Sequence, residues 1–245
     1  MPFFILDFLL MPNSRAFALA FLLAAALALP ANPAAAGSFR INPVTVAVMP
    51  DQGAAELRLH NEDSKPVGVR VTALRWTQAD GRDRTDATRD LVVSPPIFTV
   101  APGAQQLIRI GFRNRAPGAA YRIIVEEIPG PRTPGTGIAV SLRLDLPLYV
   151  VARREAAPAL NWAARRGPDG ALIVEGRNAG DLHSQILAIE ARDSSGRVVG
   201  RTQAMGVVLP SSSRAWTLGG QAGAPAELVV RTAAGETRVP VRVAP

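Results

Sequence analysis

The 245-residue chain has no cysteine, so nothing in it can be held together by disulfides, and any core must be large enough to stand without them. Lysine is nearly missing too: Lys65 is the single one, and the formal net charge of +7 rests on arginine. Only two histidines occur, His60 and His183. They are far apart, with no carboxylate or cysteine at ligand spacing, so no zinc or iron site is expected. Aromatic residues make up 5%. The arginines are scattered singly, without interleaved rings or a basic helix, which argues against nucleic acid as a partner. No Gly-x-Ser-x-Gly elbow, phosphate loop or dinucleotide fingerprint is present. The adjacent carboxylates Glu126 and Glu127 would point to opposite faces of a strand and cannot act as a pair. The expectation is a non-enzymatic binding protein with no cofactor and no metal.

No apolar run reaches the roughly 20 residues that span a bilayer. Residues 16–29 come nearest, but Arg15 precedes them, Pro30 interrupts them, and the small triplet Ala34-Ala35-Ala36 stands before Gly37. That order is a secretory signal peptide. Residues 1–36 are therefore expected to be removed after Ala36, leaving an exported protein with no stable membrane anchor. Met11, followed by Asn13, Ser14 and Arg15, fits as the true start.

Past residue 37 the apolar residues recur in short runs with period two, separated by turn formers, and no helical period appears. Strands are expected over 39–48, 55–61, 67–77, 91–94, 104–113, 121–128 and 136–150. The punctuation is Asp80-Gly81, Pro95-Pro96 and Pro102-Gly103. Seven short strands in such a span match an immunoglobulin-like sandwich without its disulfide. A charged, proline-containing hinge at 153–158 precedes a second series, over 160–164, 171–178, 185–193, 197–202, 212–217, 228–232 and 237–243. The expected fold is all-β, two immunoglobulin-like β-sandwich domains at 37–152 and 153–245. His183 is expected to be a packed or hydrogen-bonded turn residue, and Trp76, Trp162 and Trp216 to pack in cores or between domains.

One run stands out. Ile138, Val140, Leu142, Leu144, Leu146 and Leu148 are apolar at every second position, with Ala139, Ser141, Arg143 and Asp145 between them. Such a face either fills the chain's own core or belongs to an edge strand lent to another protein, since an unblunted apolar edge is an aggregation hazard without a partner. Pattern alone leaves both open.

Several segments resemble the periplasmic chaperones of the chaperone/usher pilus-assembly pathway. They are Val93-Ser94-Pro95-Pro96-Ile97-Phe98 with Ala101-Pro102-Gly103 and Leu107-Ile108-Arg109-Ile110, then Tyr121-Arg122-Ile123 leading to Glu127-Ile128-Pro129. In the second half, Arg177-Asn178-Ala179-Gly180-Asp181-Leu182-His183 and Val208-Leu209-Pro210 with Arg214-Ala215-Trp216 are similar to second-domain segments. The resemblance implies a boomerang of two sandwiches in the periplasm, holding a pilus subunit and handing it to an outer-membrane usher. Ile138, Val140, Leu142 and Leu144 would be the donor-strand residues that enter the subunit's groove. It also exposes a departure. The family's cleft arginine and lysine, which hold the subunit's terminal carboxylate, fall on Thr45 and Pro147, neither of them basic. The chain is in this respect similar to the divergent chaperones that serve spore-coat-like pilins. Arg40, Arg143, Arg153 and Arg154 are the nearest arginines in sequence, and Arg40 and Arg143 have the opposite strand parity to the apolar or cleft positions beside them. The competing expectation is an immunoglobulin-like structural or adhesive surface protein.

Overall fold

The computed structural model describes residues 39–130, 140–220 and 223–244. Residues 1–36, expected as the export signal, and the donor-strand candidate Ile138 lie outside the described residues.

Ten strands build the first part: β1 (Phe39–Asn42), β2 (Val46–Val48), β3 (Ala54–Asn61), β4 (Val67–Ala79), β5 (Arg82–Ala87), β6 (Leu91–Ser94), β7 (Ile97–Val100), β8 (Gln105–Phe112), β9 (Ala120–Ile128) and β10 (Arg143–Val150). One sheet has the order β1-β3-β8-β6, and the other β2-β10-β9-β4-β5, with β7 sharing the β5 side of β4. Leu57, Leu59, Ile108 and Ile110 from the first sheet meet Val69, Ile123, Val125 and Leu148 from the second. Each such side chain contributes about 1.5–3 kcal/mol by leaving water.

The expected strand 39–48 is in fact two. Pro43 has no N–H to continue a ladder, and there the chain leaves β3 in one sheet and joins β10 in the other. The same device recurs at Pro95-Pro96, where β6 on β8 gives way to β7 on β4. Neither β7 nor β5 is evident in the sequence. For β5 the reason is chemical: Arg82-Asp83-Arg84-Thr85-Asp86 has no apolar alternation, and only its ladder with the 13-residue β4 makes it a strand.

Nine strands follow: β11 (Leu160–Arg166), β12 (Leu172–Asn178), β13 (Ser184–Arg192), β14 (Val198–Thr202), β15 (Gly206–Val208), β16 (Ser212–Leu218), β17 (Glu227–Thr232), β18 (Gly235–Pro240) and β19 (Val243–Ala244). Their sheets run β16-β12-β11-β19 and β14-β13-β17-β18, with β15 also on β13. Val174, Ile186, Ile189, Trp216 and Leu228 form the core between them. The expected strand 237–243 is again broken at a proline, Pro240, with β18 on β17 and β19 on β11. The three-residue β15 is too short to carry a period.

Each sandwich contains one fully buried asparagine at a strand end, and the two do the same work. Asn61 donates to the carbonyls of Lys65 (2.8 Å) and Val100 (3.0 Å), while its Oδ1 accepts from Asp63 N–H (2.9 Å). Asn178 donates to the carbonyls of Leu182 (2.7 Å) and Val208 (3.3 Å), and its Oδ1 accepts from Ala159 N–H and Gly180 N–H, both at 3.0 Å. In both, the side chain closes the turn that follows and ties it to a distant strand.

Candidate partner-binding edge and interdomain face

Strand β10 is where the two readings of the apolar run meet. Glu127 N–H donates to the Leu142 carbonyl (2.9 Å) and Val150 N–H to the Ala119 carbonyl (2.8 Å). Backbone groups in a strand alternate in direction, so even-numbered residues from 142 to 150 turn theirs toward β9. Those of Arg143, Asp145 and Pro147 point to the opposite edge. That edge is covered by β2 only from Leu148 onward, where β2 pairs in parallel through Val46, Ala47 and Val48. Among the described residues, the outward backbone groups of residues 143–147 have no strand beside them. Pro147, lacking an N–H, marks the boundary.

Strand pairing begins at Arg143 rather than at 136 as expected, so Val140 and Leu142 precede β10, and side-chain burial changes from these residues into the strand. Val140 is 61% exposed, Leu142 and Leu144 are half-buried against the core, Leu146 is 6% exposed and Leu148 fully buried. The apolar face thus belongs to the core at its far end and emerges from it toward Val140. The opposite edge of the sheet contrasts with this: β5 is exposed throughout and carries Arg82, Asp83, Arg84 and Asp86, the charge pattern that blunts edges.

Thr45 and Pro147 immediately precede the paired residues Val46 and Leu148. Thr45 is exposed and Pro147 half-buried. The four arginines nearest in sequence are engaged elsewhere: Arg40 with Glu62, Arg143 with Glu126, Arg153 with Asp181 and Arg154 with Asp51. The guanidinium that faces Pro147 comes from another strand. Arg122 of β9 is its cross-strand partner, with its guanidinium carbon 3.7 Å from the centroid of Trp76 and a nitrogen 3.5 Å from Asp145. Sequence distance hides this pair; only the register of β9 against β10 reveals it.

The sheet face that carries Arg122 also meets the second sandwich. Trp76, Ala120, Tyr149 and Leu209 form a small buried cluster with Val207 against it. Tyr149 stacks on His183. Burial pushes the Tyr149 phenol up to about 12, against the pull of the Arg122 guanidinium, and burial holds His183 down at about 4. Gln78 reaches across with both ends of its amide, donating to the Val207 carbonyl (2.7 Å) and accepting from Leu209 N–H (2.9 Å). Asp83 collects Trp76 Nε1 (3.0 Å), Gln78 Nε2 (2.8 Å) and the Arg214 guanidinium. Burial would raise its carboxyl, but hydrogen bonds from Gln78, Arg214 and Trp76 and the Arg214 charge outweigh it and hold it below the usual range. Trp162 and Trp216 pack instead in the second sandwich. Among the described residues no group of acidic, histidine or cysteine side chains is arranged to hold a metal.

Residues 38–151 match the family model of the pili and flagellar-assembly chaperone, PapD N-terminal domain. No curated protein sequence matches the chain. Among solved structures, a chain of the CsuC–CsuE chaperone–tip adhesion subunit pre-assembly complex, from archaic chaperone–usher Csu pili of Acinetobacter baumannii, superposes with a TM-score of 0.68 at 18% identity, covering 85% of this chain and all of that one. The YadV chaperone gives 0.60 at 16% identity, over 82% and 98% of the two chains. The Salmonella enterica SafA pilin–SafB chaperone complex gives 0.59 at 16% identity, over 83% and 96%. Identities this low speak for the fold, and the family model speaks for the sequence. Residues 38–151 thus match the PapD N-terminal domain of the pili and flagellar-assembly chaperones, and the chain as a whole is similar in its two-sandwich fold to solved pilus chaperones.

Proposed function

We infer that the protein is a periplasmic chaperone that binds a pilus subunit by lending it the open half of β10 and delivers it to an outer-membrane usher. Residues 1–36 serve as the export signal, and 37–152 and 153–245 are the two domains. The subunit adds a strand along residues 143–147, and Val140, Leu142 and Leu144, with Ile138 before them, enter its apolar groove. No catalytic step is involved. One observation carries the reading: β10 is anchored in its own core at Leu146 and Leu148 yet keeps an unpaired edge and an emerging apolar face upstream. Strand addition of this kind draws affinity from main-chain hydrogen bonds and specificity from alternate side chains. Each apolar side chain newly buried contributes up to about 1.5–3 kcal/mol before the costs of association.

The test is co-production in the periplasm with a cognate pilus subunit. Val140→Asp should leave the chaperone folded and abolish recovery of the complex, because an unpaired carboxylate in an apolar groove costs several kcal/mol. Ser141→Asp, on the other face, should be mild. Unfolding of the free protein by Val140→Asp would assign that face to its own core and sink the reading. A surface adhesin would instead be found displayed on cells rather than recovered soluble with a smaller partner.

A further inference from the structure

We propose that the second sandwich holds a strand-docking edge of its own, along Leu160 to Ala163 of β11, and that it takes an extended acidic segment of another protein. Ala179 N–H donates to the Ala159 carbonyl and Gly167 N–H to the Ala171 carbonyl, both at 2.8 Å. Odd-numbered residues from 159 to 167 therefore turn their backbone groups toward β12, and those of Leu160 and Trp162 point to the opposite edge. That edge is covered by the short β19, in parallel, only at Ala164 and Arg165. Among the described residues no strand stands beside Leu160 and Trp162 there. β2 covers β10 in the same partial way, but the inference stands on β11 alone.

The two faces of this edge differ in chemistry. On the inner face Leu160 and Trp162 are half-buried at the margin of the core. The Trp162 ring lies against Gly176, where a Cβ would come within 2.7 Å of it, so an incoming strand finds an ordered apolar surface for its inward side chain. On the outer face stand Arg177, opposite Asn161, and Arg165, with the exposed Arg242 just before β19. Glu175, opposite Ala163, is the one carboxylate on the four strands of this sheet. On the other sheet and its turns, Arg192 is matched by Glu190, Arg197 by Asp193, Arg231 by Glu236 and Arg238 by Glu227. Among the described residues, Arg165, Arg177 and Arg242 have no carboxylate at ion-pair distance. Charge therefore selects the partner. A strand with acidic residues on its outer face meets guanidiniums that nothing else engages, whereas a second copy of this chain, with its net charge of +7, would set guanidiniums against guanidiniums, and like charges across an interface oppose it.

The experiment uses the mature chain and acetylated, amidated seven-residue peptides in which valine alternates with glutamate, glutamine or lysine. Calorimetry should find the glutamate peptide bound about tenfold more tightly than the glutamine one, the lysine peptide weakest, and the preference for glutamate reduced by salt. With the glutamate peptide bound, amide hydrogen exchange should slow at Leu160 and Trp162. N-methylation of the peptide at its three central residues should abolish binding, since strand addition rests on main-chain hydrogen bonds. Arg165→Glu combined with Arg177→Glu, both at exposed positions, should reverse the order so that the lysine peptide binds best. Equal binding of the three peptides, or an order that the double variant leaves unchanged, overturns the acidic partner. A dimer of the free chain protected at Leu160 and Trp162 overturns it too, with a second copy as the occupant. Protection confined to residues 143–147 of β10, or binding of none of the peptides, overturns the β11 edge itself.

Discussion

Tyr149 of β10 and His183 of the second sandwich lie face to face, ring centroids 3.5 Å apart and planes 8° from parallel. The strand with the open edge is therefore also one of those that touch the second sandwich.

The stack predicts a pH response. Burial holds His183 down at about 4, against an ordinary value of 6.5, so between those values the unfolded chain binds a proton that the folded chain rejects. Its contribution to stability is complete above about pH 6.5 and is lost as pH falls toward 4. Melting temperatures measured across that window should decline less steeply in His183→Phe, which keeps the stack and removes the titration. An unchanged slope would show that His183 does not set it.

Truncations along β10 and the segment leading into it should reproduce the burial gradient in denaturant melts. Leu148→Ala is expected to cost about 2–5 kcal/mol, as for other buried leucines, Leu144→Ala less, and Val140→Ala within about 0.5 kcal/mol of zero. Equal costs at all three positions would contradict the division of the strand.

Much of this was legible in the sequence because strand parity is local information. The alternation at Val67, Val69 and Val71, or at Ile108 and Ile110, needs no partner to be recognised, and those strands lie where expected. What stayed hidden depends on register. β5 is a strand only because β4 is long, and Arg122 faces Pro147 only because β9 and β10 pair as they do. Pro95 was visible as a break, whereas the strands expected over 39–48 and 237–243 ran through Pro43 and Pro240, and that the chain changes sheet or strand partner at each is a property of the assembled ladders. The apolar run at 138–148 could not be assigned from pattern, since its two ends lie in different surroundings.

Gln78→Ala should loosen the joint between the sandwiches. It strands the Val207 carbonyl and the Leu209 N–H, both part-buried, at about 1–3 kcal/mol for each group left unsatisfied. Faster amide hydrogen exchange at Leu209, with the cores of both sandwiches unaffected, is the expected signature. Protection unchanged at Leu209 would mean that the side-chain bridge is dispensable.

Asn61→Ala and Asn178→Ala should each destabilise their own sandwich by more than a surface change would, since every carbonyl or N–H left without its partner in a buried site costs about 1–3 kcal/mol. Asparagine-to-aspartate substitution is the sharper probe. It keeps the acceptor that serves Asp63, or Ala159 and Gly180, but turns a donor into an oxygen facing two carbonyls. Both aspartate variants should melt lower than the alanine ones, and the reverse order would show that the donor bonds matter little.

The division of β10 also bears on how such a protein can change over generations. Positions 146, 148 and 150 answer to the chain's own interior, so substitutions there are screened by folding whatever the partner. On the donor-strand reading proposed above, positions 140, 142 and 144 are screened in addition by the fit to a groove on another molecule. If that groove drifts in size or shape, Val140 can follow it without reopening the donor's interior, whereas Leu142 and Leu144 must satisfy both surfaces at once, so a lineage that trades one client for another would change first at the exposed end of the run.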